Sequence, residues 1–135
     1  ITTRKTVYLD RSAKTPGKRY YYKVQALTSN KKYISRKYSS IRSRLCDLPR
    51  PVLSVDKDFT NETIRISWDT LPGARAYEVY RSTKRYGTYD MIARVTTSSY
   101  EAPFESDKTY YYKVKALSKN NVNANSAMSL SKKIY

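Results

Sequence analysis

Apolar and polar residues alternate along most of the chain with a period of two, the spacing that sends successive side chains to opposite faces of a β-strand. Ile64, Ile66 and Trp68 alternate with Arg65 and Ser67, which predicts a half-buried strand. In Ala76-Tyr77-Glu78-Val79-Tyr80-Arg81 the same rule turns Tyr77 and Val79 inward and Glu78 and Tyr80 the other way. Tyr110-Tyr111-Tyr112-Lys113-Val114-Lys115-Ala116-Leu117 predicts a third such strand, with Tyr110, Tyr112, Val114 and Ala116 on the packed side and Tyr111, Lys113 and Lys115 towards water. Further strands are predicted at Val52–Val55, Met91–Val95, Ser98–Tyr100 and Met128–Ile134. Turn signals at Asp58–Glu62, Pro72-Gly73, Tyr86–Thr88 and Lys119–Asn125 separate them. Seven short strands between positions 49 and 135 with turns at this spacing predict an all-β sandwich.

One of these strands occurs twice. Tyr20-Tyr21-Tyr22-Lys23-Val24-Gln25-Ala26-Leu27 matches Tyr110 to Leu117 ninety positions later, a domain-sized period that signals a tandem array. Before position 49, strands are predicted at Thr6–Asp10, Tyr20–Leu27 and Tyr38–Leu45, with a polar, basic connection over Thr28–Lys37. Leu48-Pro49-Arg50-Pro51 follows, where two prolines stiffen the backbone and remove ladder donors, so the boundary between units 1–48 and 49–135 is placed there. Three strands alone leave an apolar face and a sheet edge uncovered. The chain is therefore expected to be part of a longer multidomain protein, or to receive its missing strands from another chain.

Composition narrows the chemistry. Net charge is +16, and the first 48 residues hold 13 Lys/Arg against Asp10 and Asp47, which concentrates the basic excess there. Such a field favours anionic partners such as nucleic acid, anionic membranes or acidic polysaccharides, and it also serves solubility. Histidine is absent, removing the commonest general base and metal ligand, and the lone Cys46 makes neither an intrachain disulfide nor a multi-cysteine metal site. Gly17, Gly73 and Gly87 are too far apart for a phosphate-binding loop. Neither catalytic residues nor a cofactor nor a metal are expected, and no stretch of about 18 apolar residues marks a membrane span.

The motifs resemble those of fibronectin type III repeats in secreted and surface proteins of Gram-positive bacteria. The likeness rests on Pro51, Ile66-Ser67-Trp68, the run from Leu71 to Ser82, Ile92 to Val95 with Ser98 to Tyr100, and Thr109 to Leu117. It implies sheets of three and four strands without a disulfide, Trp68 in the core, and Tyr110 as a tyrosine corner. Residues 1–48 resemble only the second half of another such repeat, with Tyr8 matching Tyr100 and Tyr20 matching Tyr110.

Two places are candidates for contact with a partner. Lys31, Lys32, Arg36 and Lys37 surround Tyr33 in one basic loop, suited to an anionic polymer. Tyr80, Tyr111, Lys113 and Lys115 are expected to share the outward face of one sheet, able to stack a sugar ring or simply to stabilise the sheet through cross-strand pairs. No nucleic-acid motif accompanies the basic loop, which makes nucleic acid the lesser partner. Trp68, Tyr77, Val79, Tyr110, Tyr112 and Val114 are expected to form core, as are Tyr20 and Tyr22 in the first unit. The expectation is a non-catalytic spacer or adhesion module of an extracellular or cell-surface protein, contacting neighbouring domains or anionic cell wall. Its alternative is a module that binds anionic polysaccharide.

Overall fold

The computed structural model describes residues 1–27, 37–103, 105 and 107–134. Among these residues nine strands run in chain order: β1 (Arg19–Tyr22), β2 (Arg42–Leu45), β3 (Leu53–Asp58), β4 (Thr63–Trp68), β5 (Ala74–Ser82), β6 (Asp90–Val95), β7 (Ser99–Pro103), β8 (Tyr110–Ser118) and β9 (Lys132–Ile134). A 3-10 turn spans Val122–Ala124. Strands β3 to β9 make the expected sandwich, with one sheet ordered β3-β4-β7 and the other β6-β5-β8-β9, every pair antiparallel. Among the described residues no helix is long and apolar enough to cross a membrane.

The alternation read in the sequence decides what fills the space between these sheets. Ile64, Ile66 and Trp68 project from β4, Tyr77 and Val79 from β5, and Tyr110, Tyr112, Val114 and Ala116 from β8, all buried in one cluster. Trp68 and Tyr77 meet with ring centroids 5.2 Å apart and planes tilted by 59°, within the separation at which aromatic pairs attract. The Tyr77 hydroxyl accepts a hydrogen bond from the Leu71 amide at 2.8 Å, which ties the β4–β5 turn to the core. At the β3–β4 turn the Asp58 carboxylate accepts from the Thr60 and Asn61 amides, and Glu62 takes the left-handed φ of 51° that closes it.

The first 48 residues depart from expectation. The predicted strand at Thr6–Asp10 is absent, the Tyr-rich strand stops at Tyr22, and the returning strand is confined to Arg42–Leu45. Tyr20 and Tyr22 are half-buried rather than core, and Val24 is 70% exposed. Strand formation needs a partner to take up backbone donors and acceptors, and the sandwich shows which partners are involved. Its β8 pairs with β9, but β6 pairs only with β5 and β7 only with β4. Residues 1–13 stand ninety positions before β6 and β7, and among the described residues no strand pairs with them. The β8–β9 counterpart needs only itself, so β1 and β2 form.

That counterpart repeats its register and several of its bonds at an offset of ninety. Tyr20, Tyr21 and Tyr22 lie opposite Arg44, Ser43 and Arg42, as Tyr110, Tyr111 and Tyr112 lie opposite Ile134, Lys133 and Lys132. The Val24 carbonyl accepts from the Ser39 amide while the Val24 amide donates to the Ser39 hydroxyl, at 2.7 and 2.9 Å. Val114 and Ser129 repeat both bonds at 2.8 and 2.9 Å. The turns before the two strands close alike, Lys18 to Thr15 and Lys108 to Glu105.

Candidate functional site

Cross-strand register places Tyr80 opposite Lys113, Glu78 opposite Lys115 and Ser82 opposite Tyr111. Residues directly opposite share a face, so Tyr80, Tyr111, Lys113 and Lys115 do lie together on the outward side of the β6-β5-β8-β9 sheet. Arg94 joins them from β6 and Lys133 from β9. Among the described residues of these strands, the face therefore carries Arg94, Lys113, Lys115 and Lys133 beside the carboxylate of Glu78.

Alternation placed Glu78 on this side with Tyr80, but its burial and its partners were not legible. It is 8% exposed, although it points away from the sandwich core. The Arg94 guanidinium donates to its Oε1 at 2.6 Å and the Tyr80 hydroxyl to its Oε2 at 2.8 Å. Burial works against ionising Glu78, but the hydrogen bonds from Arg94 and Tyr80, with the charges of Arg94 and Lys115, outweigh it and hold the carboxyl below its ordinary pKa. Burial and the bond to Glu78 push the Tyr80 phenol up. Lys113 sets its ammonium 4.1 Å from the centroid of the Tyr89 ring, a cation–π contact from a tyrosine that strand alternation did not single out. The face is thus a self-satisfied network: Tyr80 and Arg94 are held by Glu78, Lys113 is held by Tyr89, and Tyr111 is half-buried. Only knowledge of the β5–β6 register brings Arg94 to Glu78, sixteen residues away in the chain.

Of the basic loop, Lys31, Lys32, Tyr33 and Arg36 lie outside the described residues, and Lys37 is exposed. Tyr110, expected as a tyrosine corner, sends its hydroxyl back five residues to the Glu105 carboxylate at 2.8 Å. Lys108 grips the other oxygen of that carboxylate. The Lys108 bond first, then that from Tyr110, lowers the Glu105 pKa.

A second feature is the joint between the first unit and the sandwich. Gly17 has φ +79°, and a Cβ there would come within 2.7 Å of the Asn120 Cβ, so glycine is required both by conformation and by the close approach. The Asn120 side-chain amide donates to the Pro16 carbonyl at 3.2 Å. The Gly17 amide in turn donates to the Cys46 carbonyl at 2.8 Å, and the Leu48 amide to the Ala124 carbonyl at 2.9 Å. Leu48 is 3% exposed and belongs to the sandwich core. The Asn-rich loop read as a plain turn is in fact the socket of this joint.

No protein-family model matches the chain. The crystal structure of an Fn3-like protein from Clostridium thermocellum is 35% identical, with a TM-score of 0.51, over 62% of this chain and 88% of that one. The chain carries a fibronectin type III-like domain. The fold of that domain is also shared by FN3tt, 23% identical at a TM-score of 0.53 over 64% of this chain and 92% of FN3tt. An uncharacterized protein of Deinococcus radiodurans is 34% identical over 91 residues, a match covering 52% of this chain and 18% of that protein. The fibronectin type III-like domain accounts for Trp68, Tyr77 and Tyr112 as core, and for sheets of three and four strands.

Proposed function

We propose that the chain is a non-catalytic spacer in a tandem-repeat protein that is secreted or displayed on a bacterial surface, where it fixes the angle between consecutive modules. The joint carries this reading. Pro16-Gly17 packs on Asn120, Leu48 sits in the sandwich core, and Pro51 beside it is fully buried. A linker of Gly and Ser would leave neighbouring modules to swing freely, whereas buried contacts on both sides of Pro49 restrict them. The excess of basic residues in positions 1–48 supports contact with anionic wall polymers as the array passes through them.

The test is a distance measurement across the joint. In a Cys46→Ser background, spin labels at the exposed Ser40 and Glu101 should give one narrow distance distribution. Gly17→Val should broaden it while the sandwich melts at an unchanged temperature. A broad distribution in the parent chain refutes the fixed-angle reading. A dedicated site for anionic polysaccharide is the second reading, favoured by the four cations around Glu78. It requires binding that weakens steeply with salt and is lost on Lys113→Ala together with Lys115→Ala.

A further inference from the structure

We propose that Gly73 and Asn120 form a socket selective for a Pro-Gly turn on the module ahead of it, so that the sandwich locks behind a unit like residues 1–48 and not behind another copy of itself. The selectivity rests on the spacer reading and adds to it which modules can be joined at a fixed angle. Two loops build the socket. The Gly73 carbonyl accepts from the Lys119 amide at 3.0 Å, which ties the β4–β5 turn to the loop after β8.

Pro16 and Gly17 fill the space between these loops. The Pro16 ring lies against Gly73, where a Cβ would come 3.4 Å from the Pro16 Cγ, and the Pro16 carbonyl accepts from the Asn120 side chain. Gly17 follows at φ +79°, and the Lys18 amide closes the turn on the Thr15 carbonyl. Proline second and a left-handed residue third is the type II pattern, which calls for glycine at the third place. A Cβ on Gly17 would come within 2.7 Å of the Asn120 Cβ, an atom that no change of rotamer moves aside. Conformation and space therefore both reject any other residue there.

The repeat supplies the comparison. Ninety positions on, the turn before β8 closes with the same bond, from the Lys108 amide to the Glu105 carbonyl, but Ser106 and Asp107 stand in place of Pro16 and Gly17. Asp107 brings the Cβ that the socket excludes, and the ring that packs on Gly73 and fixes the backbone ahead of the glycine is missing. Held against a second socket of Gly73 and Asn120, this turn would have to stay clear of it, leaving the linker to set the angle. The sandwich thus has the socket without the turn that fits it.

The experiment appends a second copy of residues 46–135 directly after Tyr135 of the full chain, which keeps the spacing of ninety and the linker sequence, with Cys46→Ser in both copies. Spin labels at Ser40 and at Glu101 of the first sandwich report the native joint. Labels at Leu130 of the first sandwich and Glu101 of the second report the new one, since Leu130 is 74% exposed and holds the place of Ser40 in the repeat. The expected result is one narrow distance across the native joint and its loss across the new joint. Ser106→Pro with Asp107→Gly in the first sandwich should restore a narrow distance across the new joint. The reverse exchange, Pro16→Ser with Gly17→Asp, should abolish it across the native joint while the sandwich melts at an unchanged temperature. A narrow distance across the unaltered new joint overturns the selectivity and leaves the spacer reading standing, whereas a broad one across the unaltered native joint overturns both. A new joint that stays broad after the Pro-Gly exchange, or a native joint that stays narrow after its loss, overturns the selectivity as well.

Discussion

Val24 and Val114 occupy the same position of the repeat and make the same two bonds to a serine, so truncating each measures what tertiary cover adds. Val114 is fully buried, and Val114→Ala removes two methyl groups from a packed core at a cost of about 2 kcal/mol. Val24 is 70% exposed, and Val24→Ala should change stability by less than about 0.5 kcal/mol. For a domain of this size the first substitution lowers Tm by roughly 10 °C. With a urea slope of about 1 kcal/mol/M, it moves the midpoint by about 2 M. Trp68, the chain's one tryptophan, is buried in the sandwich and reports its unfolding by fluorescence without labels. Equal costs at the two positions would mean that the first unit has a core of its own. A negligible cost at Val114 would refute the packing of β8 between the sheets.

Trp68→Ala should remove about 3–5 kcal/mol, enough to unfold a domain of ordinary stability, and denaturant melts read by circular dichroism will show whether it does. The Tyr112 hydroxyl is buried without a hydrogen-bond partner, so Tyr112→Phe should be neutral or stabilising by up to about 1–3 kcal/mol. A loss of stability in calorimetry would show that the hydroxyl is bonded to Arg81 instead. Glu78 has a folded pKa below its ordinary 4.5, so its contribution is complete above that value and disappears as pH falls through the folded pKa. The gap in stability between the parent and Glu78→Gln should therefore be widest at neutral pH and close as acid is added. A gap independent of pH would mean that the Arg94 pairing does not stabilise the charged form.

The sandwich was legible because alternation is a local property with a global consequence. Ile64-Arg65-Ile66-Ser67-Trp68 has only one way to bury its apolar side, and each of the seven strands of the sandwich was anticipated to within a few residues. Strand ends were less legible. Met128 to Ser131 satisfies β8 through the Ser129 amide and hydroxyl rather than through a full ladder, which leaves β9 with only Lys132–Ile134. The outward face was half read: its Tyr and Lys members follow from alternation along β5 and β8. Arg94 and Tyr89 come from parts of the chain that only pairing and folding bring near, so the burial of Glu78 was invisible beforehand.

By itself the sequence determined the period of ninety and, within the sandwich, the strand faces and the apolar residues that fill the core, because these depend on the order of apolar and polar residues. Tertiary structure decided which strands exist at all in the first unit. Thr6–Asp10 alternates as well as many a real strand, but among the described residues no strand pairs with it, and a strand is a property of a pair. The same structure decided what the asparagines of the 119–125 loop are for. Gly17 and Asn120 stand far apart in the chain, and only the folded contact between them turns an ordinary turn into a joint.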